Sequence, residues 1–302
     1  MNNHSKMAIL SVENLSKNYG HIKALKGISF SVPKGSVFGI LGPNGSGKTT
    51  MLGIVMSILK PTGGGYKLFD ETPTDDHRKM IGTLLETPNF YHYLSAVDNL
   101  KITAAIKGKG GDDIEKVLQM VNLYQRKNSP FSSYSLGMKQ RLAIAAALLG
   151  NPDVLVFDEP TNGLDPVGIA EIRDLIKQLA KQGKTIIMAS HLLDEVEKVC
   201  THVAILKQGD LVASGHVDEI FVHEDMVEVG AADNVRLKSA LQSMPGVTRV
   251  KEETNFLLLY FPMGQSNLEA VNQHCFNNGV VLNHLQVKRK SLESKFFELT
   301  NS

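Results

Sequence analysis

The chain has 302 residues, 42% of them apolar and 21% charged, enough to bury a sizeable core in one large domain or two. Its 32 basic and 31 acidic residues leave a formal charge of +1, so neither a general nucleic-acid surface nor an anionic-membrane surface is expected. Two cysteines, Cys200 and Cys275, exclude a disulfide framework and a cysteine metal cluster and fit a reducing compartment.

The first residues, Met1 to Lys6, lack the apolar core of a signal peptide. From Ala8 to Pro33, the runs Ile9 to Val12 and Ile28 to Val32, divided by Gly20 and Gly27, predict antiparallel strands with Tyr19 at their turn. Val37 to Leu41 is a continuous apolar run, the pattern of a buried strand, and Met51 to Leu59 has helical apolar spacing. Between them stands Gly42-Pro43-Asn44-Gly45-Ser46-Gly47-Lys48-Thr49-Thr50, which is G-x-x-x-x-G-K-T in the strand, loop and helix context that the pattern requires. Glycines let successive N–H groups turn around an anion, and the helix N-terminus adds partial positive charge. Lys48 then reaches the β- and γ-phosphates of a nucleotide, and the Thr49 hydroxyl ligates Mg²⁺.

Pro61 to Gly65 is a strong break, followed by strand candidates at Tyr66 to Phe69 and Met80 to Leu85. A helical period from about residue 92 to 128, with the loop Gly108-Lys109-Gly110-Gly111-Asp112 inside it, predicts a helical lobe over about 87–150. That lobe ends in the apolar helix Leu142 to Leu149, far short of the roughly 18–20 apolar residues that span a bilayer. Val154 to Phe157 reads as a buried strand ending in Asp158-Glu159, where Asp158 can hold Mg²⁺ through water and Glu159 can orient and deprotonate an attacking water. Asp165-Pro166 caps a helix to about Lys181, and Thr185 to Met188 is the next buried strand, leading to Ser190-His191. Strand and helix alternating in this way mean a parallel sheet covered on both faces, with ligands at the carboxyl ends of its strands. A hairpin, Val203 to Leu206 and Leu211 to Val212 around Gly209, closes this part of the chain.

Beyond Phe221 the order changes to βαββαβ: Met226 to Val229, Val235 to Leu241, Val247 to Lys251, Phe256 to Phe261, Leu268 to Phe276 and Val280 to Val287, with a last helix near Leu292 to Leu299. That order is a ferredoxin-like arrangement, and the change of order predicts a nucleotide-binding domain over 7–222 and an accessory domain over 224–302 with a boundary near His223. The accessory segment carries no phosphate loop, no carboxylate pair at a strand end and no metal spacing.

Taken in order, the glycine loop, Ser135-Leu136-Gly137-Met138-Lys139-Gln140-Arg141, Asp158-Glu159, Gly163-Leu164-Asp165 and Ser190-His191 resemble the ATP-binding subunit of ABC transporters over about residues 7 to 222. Ser135 to Gln140 corresponds to that family's signature, Gly163-Leu164-Asp165 to its D-loop and His191 to its switch histidine. The resemblance implies a P-loop NTPase fold, with an antiparallel β subdomain and a helical lobe, that binds ATP and Mg²⁺ and hydrolyses ATP. It implies a head-to-tail dimer with a second copy, in which Ser135 and Gly137 of one chain meet the γ-phosphate held by the glycine loop of the other. It further implies that Glu159 polarises water, His191 contacts the γ-phosphate, Tyr19 stacks on adenine and a separate membrane permease is driven. The chain would then sit in the cytoplasm, peripheral on the inner face of the membrane, and no nucleic-acid partner is expected.

Two features depart from the usual pattern. Glu86 stands where the family commonly has Gln, keeping an oxygen donor for Mg²⁺ while adding charge and losing an amide donor. The signature reads Ser-Leu-Gly-Met-Lys, keeping Ser135 and Gly137, the groups that face phosphate. Both departures, with the run Glu86 to Tyr91, resemble the bacitracin and lantibiotic export branch. A soluble ATPase of the same class acting on nucleic acid, ribosomes or chromosomes would need tandem domains or a long coiled coil, and the chain shows neither. A regulatory module without hydrolysis is opposed by Glu159 and His191.

Replacing Glu86 by Gln is expected to retain Mg²⁺-dependent hydrolysis, because the oxygen ligand survives, whereas Ala should raise the Mg²⁺ concentration needed for half-maximal turnover. Titrating ATPase activity against Mg²⁺ separates the two; an unchanged requirement in the Ala variant would make Glu86 a solvated acid.

Overall fold

The computed structural model describes residues 8–85, 89–220, 225–253, 256–262 and 264–289, and the chain divides into two compact units, Met1–Ile220 and Phe221–Ser302. The first unit opens with two long antiparallel strands, β1 (Ala8–Tyr19) and β2 (Ile22–Pro33), whose register shifts several times along their length. Next come β3 (Val37–Leu41), helix α1 (Lys48–Val55), β4 (Gly63–Leu68), the short α2 (Asp75–Lys79) and β5 (Ile81–Leu84). The strand β4 joins the other side of β1, giving a three-stranded antiparallel sheet in the order β2-β1-β4.

The helical lobe follows as α3 (Ala96–Lys107), α4 (Ile114–Met120) and α5 (Leu136–Leu148). Helix α3 starts where the Ser95 hydroxyl accepts from Asp98 N and stops at Gly108 in the left-handed conformation. Helix α5 is buried continuously from Leu142 to Leu148, which explains a sequence that is apolar all round rather than striped.

The remainder of the unit is β6 (Val154–Asp158), α6 (Pro166–Lys181), β7 (Thr185–Ser190), α7 (Leu193–Val199), β8 (His202–Lys207), β9 (Asp210–His216) and α8 (Val217–Ile220). Six strands form the main sheet in the order β5-β6-β7-β3-β8-β9, parallel except for the antiparallel edge pair β8 and β9. Every residue of β3, β6 and β7 is buried, as a parallel sheet covered on both faces requires. Helix α6 buries Ile172, Leu175, Ile176 and Leu179, one helical stripe, and opens on an Asp165 cap with Pro166 at its first position. One core joins the two sheets, with Leu10, Leu15, Leu25 and Phe30 packed among Phe38, Ile40, Leu52, Val156 and Ile187.

The second unit is β10 (Asp225–Ala231), α9 (Asn234–Leu241), β11 (Arg249–Glu252), β12 (Leu257–Phe261), α10 (Leu268–Asn277) and β13 (Leu282–Arg289). Its sheet runs β11-β12-β10-β13 with every neighbouring pair antiparallel, the ferredoxin-like order. Val227, Val229, Leu257, Leu259 and Phe261 pack with Leu237, Leu241, Val271 and Cys275. Met226, Leu258 and Tyr260 form a separate buried cluster, so the run Leu257 to Leu259 is apolar because both of its faces are buried. The helix expected near Leu292 to Leu299 lies outside the described residues.

Gly82 marks the tightest junction between lobe and sheet: a Cβ there would lie 2.3 Å from the Ala147 carbonyl oxygen and 2.9 Å from Leu155 Cδ2. Gly82→Val is therefore expected to destabilise by about 1–3 kcal/mol or more, the usual cost of overpacking. Gly65→Ala, where a Cβ meets nothing within 4 Å, should shift the denaturation midpoint little. Equal midpoints for the two variants would refute the packing argument.

Candidate nucleotide site

The loop after β3 is built by close approach as much as by freedom of rotation. A Cβ on Gly42 would lie 2.3 Å from the Leu206 carbonyl oxygen and 2.5 Å from Ser46 Oγ. Gly47 has φ +108°, and a Cβ there would lie 2.6 Å from the Ala24 carbonyl oxygen of β2. The loop is held by Ser46 N donating to Pro43 O (3.1 Å) and by Gly209 N donating to Ser46 O (3.0 Å). Ser46 Oγ is buried with no hydrogen-bond partner, an orphaned polar atom inside the loop. Pro43, Asn44 and Gly45 are exposed at its crest, while Thr49 and Thr50 open α1 behind it. The Lys48 ammonium lies over the loop and donates to Gly42 O (2.8 Å) and Pro43 O (3.3 Å).

At the end of β6, Asp158 is buried and pairs in register with Ala189, and Glu159 N donates to Ala189 O (3.0 Å). Glu159 itself has φ +47°, a left-handed conformation that costs a non-glycine residue on the order of 1–3 kcal/mol. Its carboxylate lies between two cations or potential cations, with Oε1 3.3 Å from Lys48 Nζ and Oε2 2.8 Å from His191 Nδ1. His191 N also donates to Oε2 (3.4 Å). Three of the predicted site residues, from the start of α1 and the ends of β6 and β7, thus meet at one carboxylate.

Ser135, Gly137 and Asp165 form a second group. The Ser135 hydroxyl caps α5 by accepting from Met138 N (3.3 Å), and Asp165 caps α6 by accepting from Gly168 N (2.9 Å). The two helix starts border a groove of about 300 Å³ whose lining includes Ser135, Gly137 and Asp165 together with the pair Arg141 and Glu171, 3.6 Å apart. Tyr19 ends β1 opposite Ile22, is 45% exposed and has Lys17 Nζ 5.0 Å from its ring centroid. Two residues past Ile22, Ala24 abuts Gly47, so the hairpin carrying Tyr19 borders the loop. Glu86 lies outside the described residues.

One polar group at this edge of the sheet is not foreseen from the sequence. Glu195, in the first turn of α7, is 3% exposed, and its Oε2 accepts from Thr161 Oγ1 (2.5 Å) and Ser190 Oγ (3.4 Å). Burial pushes its carboxyl above the ordinary carboxylate range, against the lowering effect of the two hydroxyls and Arg173. In sequence it is one of three acids in Asp194-Glu195-Val196-Glu197, which reads as a solvated helix face.

A family model described as ABC transporter matches residues 25–162. The bacitracin transport ATP-binding protein BcrA of Enterococcus faecalis is 35% identical over 299 residues, covering 96% of each chain. The lantibiotic transport ATP-binding protein SrtF of Streptococcus pyogenes is 37% identical over 228 residues, 73% of this chain and 99% of its own. A solved dimeric structure of the ATP-binding cassette MJ0796, in a post-hydrolysis state bound to ADP and Pi, matches with a TM-score of 0.61 and 28% identity over 69% of this chain and 98% of that one. On this evidence of sequence and fold together, the chain belongs to the ATP-binding subunits of ABC transporters and is an ATP-hydrolysing subunit that powers transport.

Proposed function

We propose that Glu159 is the general base of ATP hydrolysis, and the observation that carries this is its carboxylate held between Lys48 and His191 at the end of β6. In the reaction a water oxygen bonds to the γ-phosphorus, its proton passes to Glu159, and the bond to the bridging oxygen breaks with its electron pair leaving on ADP. The backbone N–H groups of Gly45, Gly47, Lys48, Thr49 and Thr50 and the Lys48 ammonium take up the phosphate charge; to do so Lys48 exchanges the carbonyl oxygens of Gly42 and Pro43 for phosphate oxygens. An ionised carboxylate only accepts, so in its contact with Glu159 the His191 Nδ1 carries the proton, and that same N–H serves a γ-phosphate oxygen once the contact is given up, because Nε2 of the neutral ring is an acceptor. Tyr19 supplies an exposed ring for the adenine.

The Thr49 hydroxyl and the Asp158 carboxylate are hard oxygen donors of the kind Mg²⁺ takes, with Glu86 as a further oxygen ligand. Together they would hold Mg²⁺ against the nucleotide, where it neutralises charge on the β- and γ-phosphates. Ser135, Gly137 and Asp165 line a groove of their own, and we assign that groove to the nucleotide of a second copy in a head-to-tail dimer. The dimeric cassette among the solved structures supports this assignment. Among the described residues no helix is long and apolar enough to cross a membrane. Family membership and the transport names of the relatives support a membrane permease as the partner, with this subunit at the inner face of the membrane. The bacitracin and lantibiotic relatives favour export.

Glu159→Gln is expected to keep ATP affinity within about twofold and to lower kcat by about 10²-fold or more, the contribution of a positioned base. It should also accumulate a nucleotide-bound dimer on size-exclusion chromatography. Lys48→Ala should instead lose ATP affinity, since its contact exists in the ground state as well as the transition state. Near-normal turnover in Glu159→Gln would remove Glu159 as the base.

The unit Phe221–Ser302 is proposed as accessory to this chemistry, because SrtF matches over 99% of its own length within 228 residues. A chain ending at Ile220 should bind ATP with an affinity close to that of the full chain, measured by equilibrium titration after circular dichroism shows it folded. Loss of binding from that folded chain would place the second unit within the ATP site.

A further inference from the structure

Beyond the base and its histidine, the edge of the sheet holds one more polar bridge, and its position gives it a task. The backbone ladder between β6 and β7 ends with Glu159 N donating to Ala189 O. Past that bond the two chains diverge, one into the turn Glu159 to Leu164 and the other through Ser190-His191 into α7. Among the described residues, side chains span the divergence at two places. One is Glu159, whose Oε2 meets His191 Nδ1 and also accepts from His191 N (3.4 Å). The other is Glu195, whose Oε2 accepts from Thr161 Oγ1 on the first branch and from Ser190 Oγ on the second.

These two ties differ in what the reaction does to them. The first joins the two groups that must turn toward water and the γ-phosphate, so it is given up when they engage. The second involves neither the base nor the histidine and can persist throughout. Each of its ends is anchored: Ser190 Oγ also accepts from Leu192 N (3.0 Å), and the Thr161 turn is closed by Asn162 N donating to Glu159 O (3.1 Å). Thr161, Ser190 and Glu195 are all buried, so water does not compete for these bonds.

We propose that Glu195 is a positioning residue for hydrolysis, holding the turn that carries Glu159 to the segment that carries His191 when their direct contact is exchanged for substrate. The inference rests on the reading of Glu159 as the base. Two hydroxyl donors share one carboxylate oxygen, so an acceptor oxygen is the essential feature and the charge is secondary. The other oxygen, Oε1, is buried with no hydrogen-bond partner; Arg173 is the neighbouring positive charge and Glu159 the neighbouring negative one. A Gln side chain keeps the acceptor, with its amide nitrogen in the place of Oε1.

Steady-state ATPase measurements on the full chain test this, with Glu159→Gln run alongside. Glu195→Ala should lower kcat by about 10-fold to 100-fold while leaving KM for ATP within about twofold, because the loss falls on the transition state. Glu195→Gln should retain about half of the wild-type kcat. In a His191→Ala background, Glu195→Ala should cost less than about twofold of the residual rate, since the two act through one unit. Thr161→Val keeps shape and removes one donor, so it should lower kcat by about 3-fold or more even where Glu195→Ala fails to fold. Wild-type kcat in folded Glu195→Ala or Thr161→Val overturns the proposal, and so does a Gln variant as impaired as Ala with KM raised in parallel. Failure of the base reading is seen separately, as normal turnover in Glu159→Gln.

Discussion

The register of three parallel strands sets the level at which every chemical group leaves the main sheet. Leu41 of β3 lies opposite Ser190 of β7, and Asp158 of β6 lies opposite Ala189 of the same strand. The glycine loop, Glu159 and His191 therefore all begin within a residue or two of one line across the sheet. Gly42 N extends that line by donating to Ser190 O (3.3 Å). A one-residue slip in either pair would turn the side chains at these strand ends to the opposite face and separate Lys48 from Glu159. Because β3, β6 and β7 are buried on both faces, a slip would expose no apolar residue to water; what opposes it is side-chain fit, as at Gly39 of β3, where a Cβ would lie 3.0 Å from both Val196 Cγ1 and Cys200 Sγ.

At that line the polypeptide accepts local costs that a purely structural edge would avoid. Glu159 takes a left-handed backbone, Lys48 is buried, and Glu195 is a buried carboxyl. Each cost is offset by particular partners: the Ala189 carbonyl and Asn162 amide for the Glu159 backbone, loop carbonyls and Glu159 for Lys48, two hydroxyls for Glu195. Strain of this kind persists only where surrounding contacts over-determine it. Left-handed residues such as Asn14, Ser57 and Gln208 occur elsewhere in the chain; what sets this edge apart is that the left-handed Glu159 lies against the buried Lys48.

Much of this was legible because it depends on residue types that have one use. Gly47 must be glycine for its φ and for its approach to Ala24, and Val154 to Phe157 must be apolar throughout because both faces are covered. Asp165-Pro166 announced the start of α6 through capping chemistry alone. What stayed hidden depends on rotation and on distance in sequence. The helix α7 is seven residues long with Leu193 and Val196 as its buried apolar residues, too short for a period, so nothing in the sequence shows that Glu195 faces inward toward Thr161, 34 residues earlier. The strands β1 and β2 run well beyond their apolar stretches because register shifts break the alternation that would have revealed them. The groove between α5 and α6 brings Ser135 and Gly137 to Asp165, residues that their separation in sequence does not place together.

The same turn that carries the base also leads into that groove. Asn162 N closes on Glu159 O (3.1 Å), Leu164 N closes on Thr161 O (3.2 Å), and Asp165 then caps α6, so a turn closed by two backbone hydrogen bonds connects Glu159 to the groove lining, which begins at Gly163. Gly163, at φ +75°, makes the turn possible and receives the Leu136 side chain of the signature segment at a distance that would be 3.1 Å to an added Cβ. If the groove receives a second copy's nucleotide, any shift of Leu136 or Asp165 on closure is carried to Glu159 in the same chain, and the reverse holds when Glu159 releases His191. The coupling between two such sites then needs no long pathway, only a turn held at Glu159, Thr161 and Asp165 and anchored to β7 through Glu195.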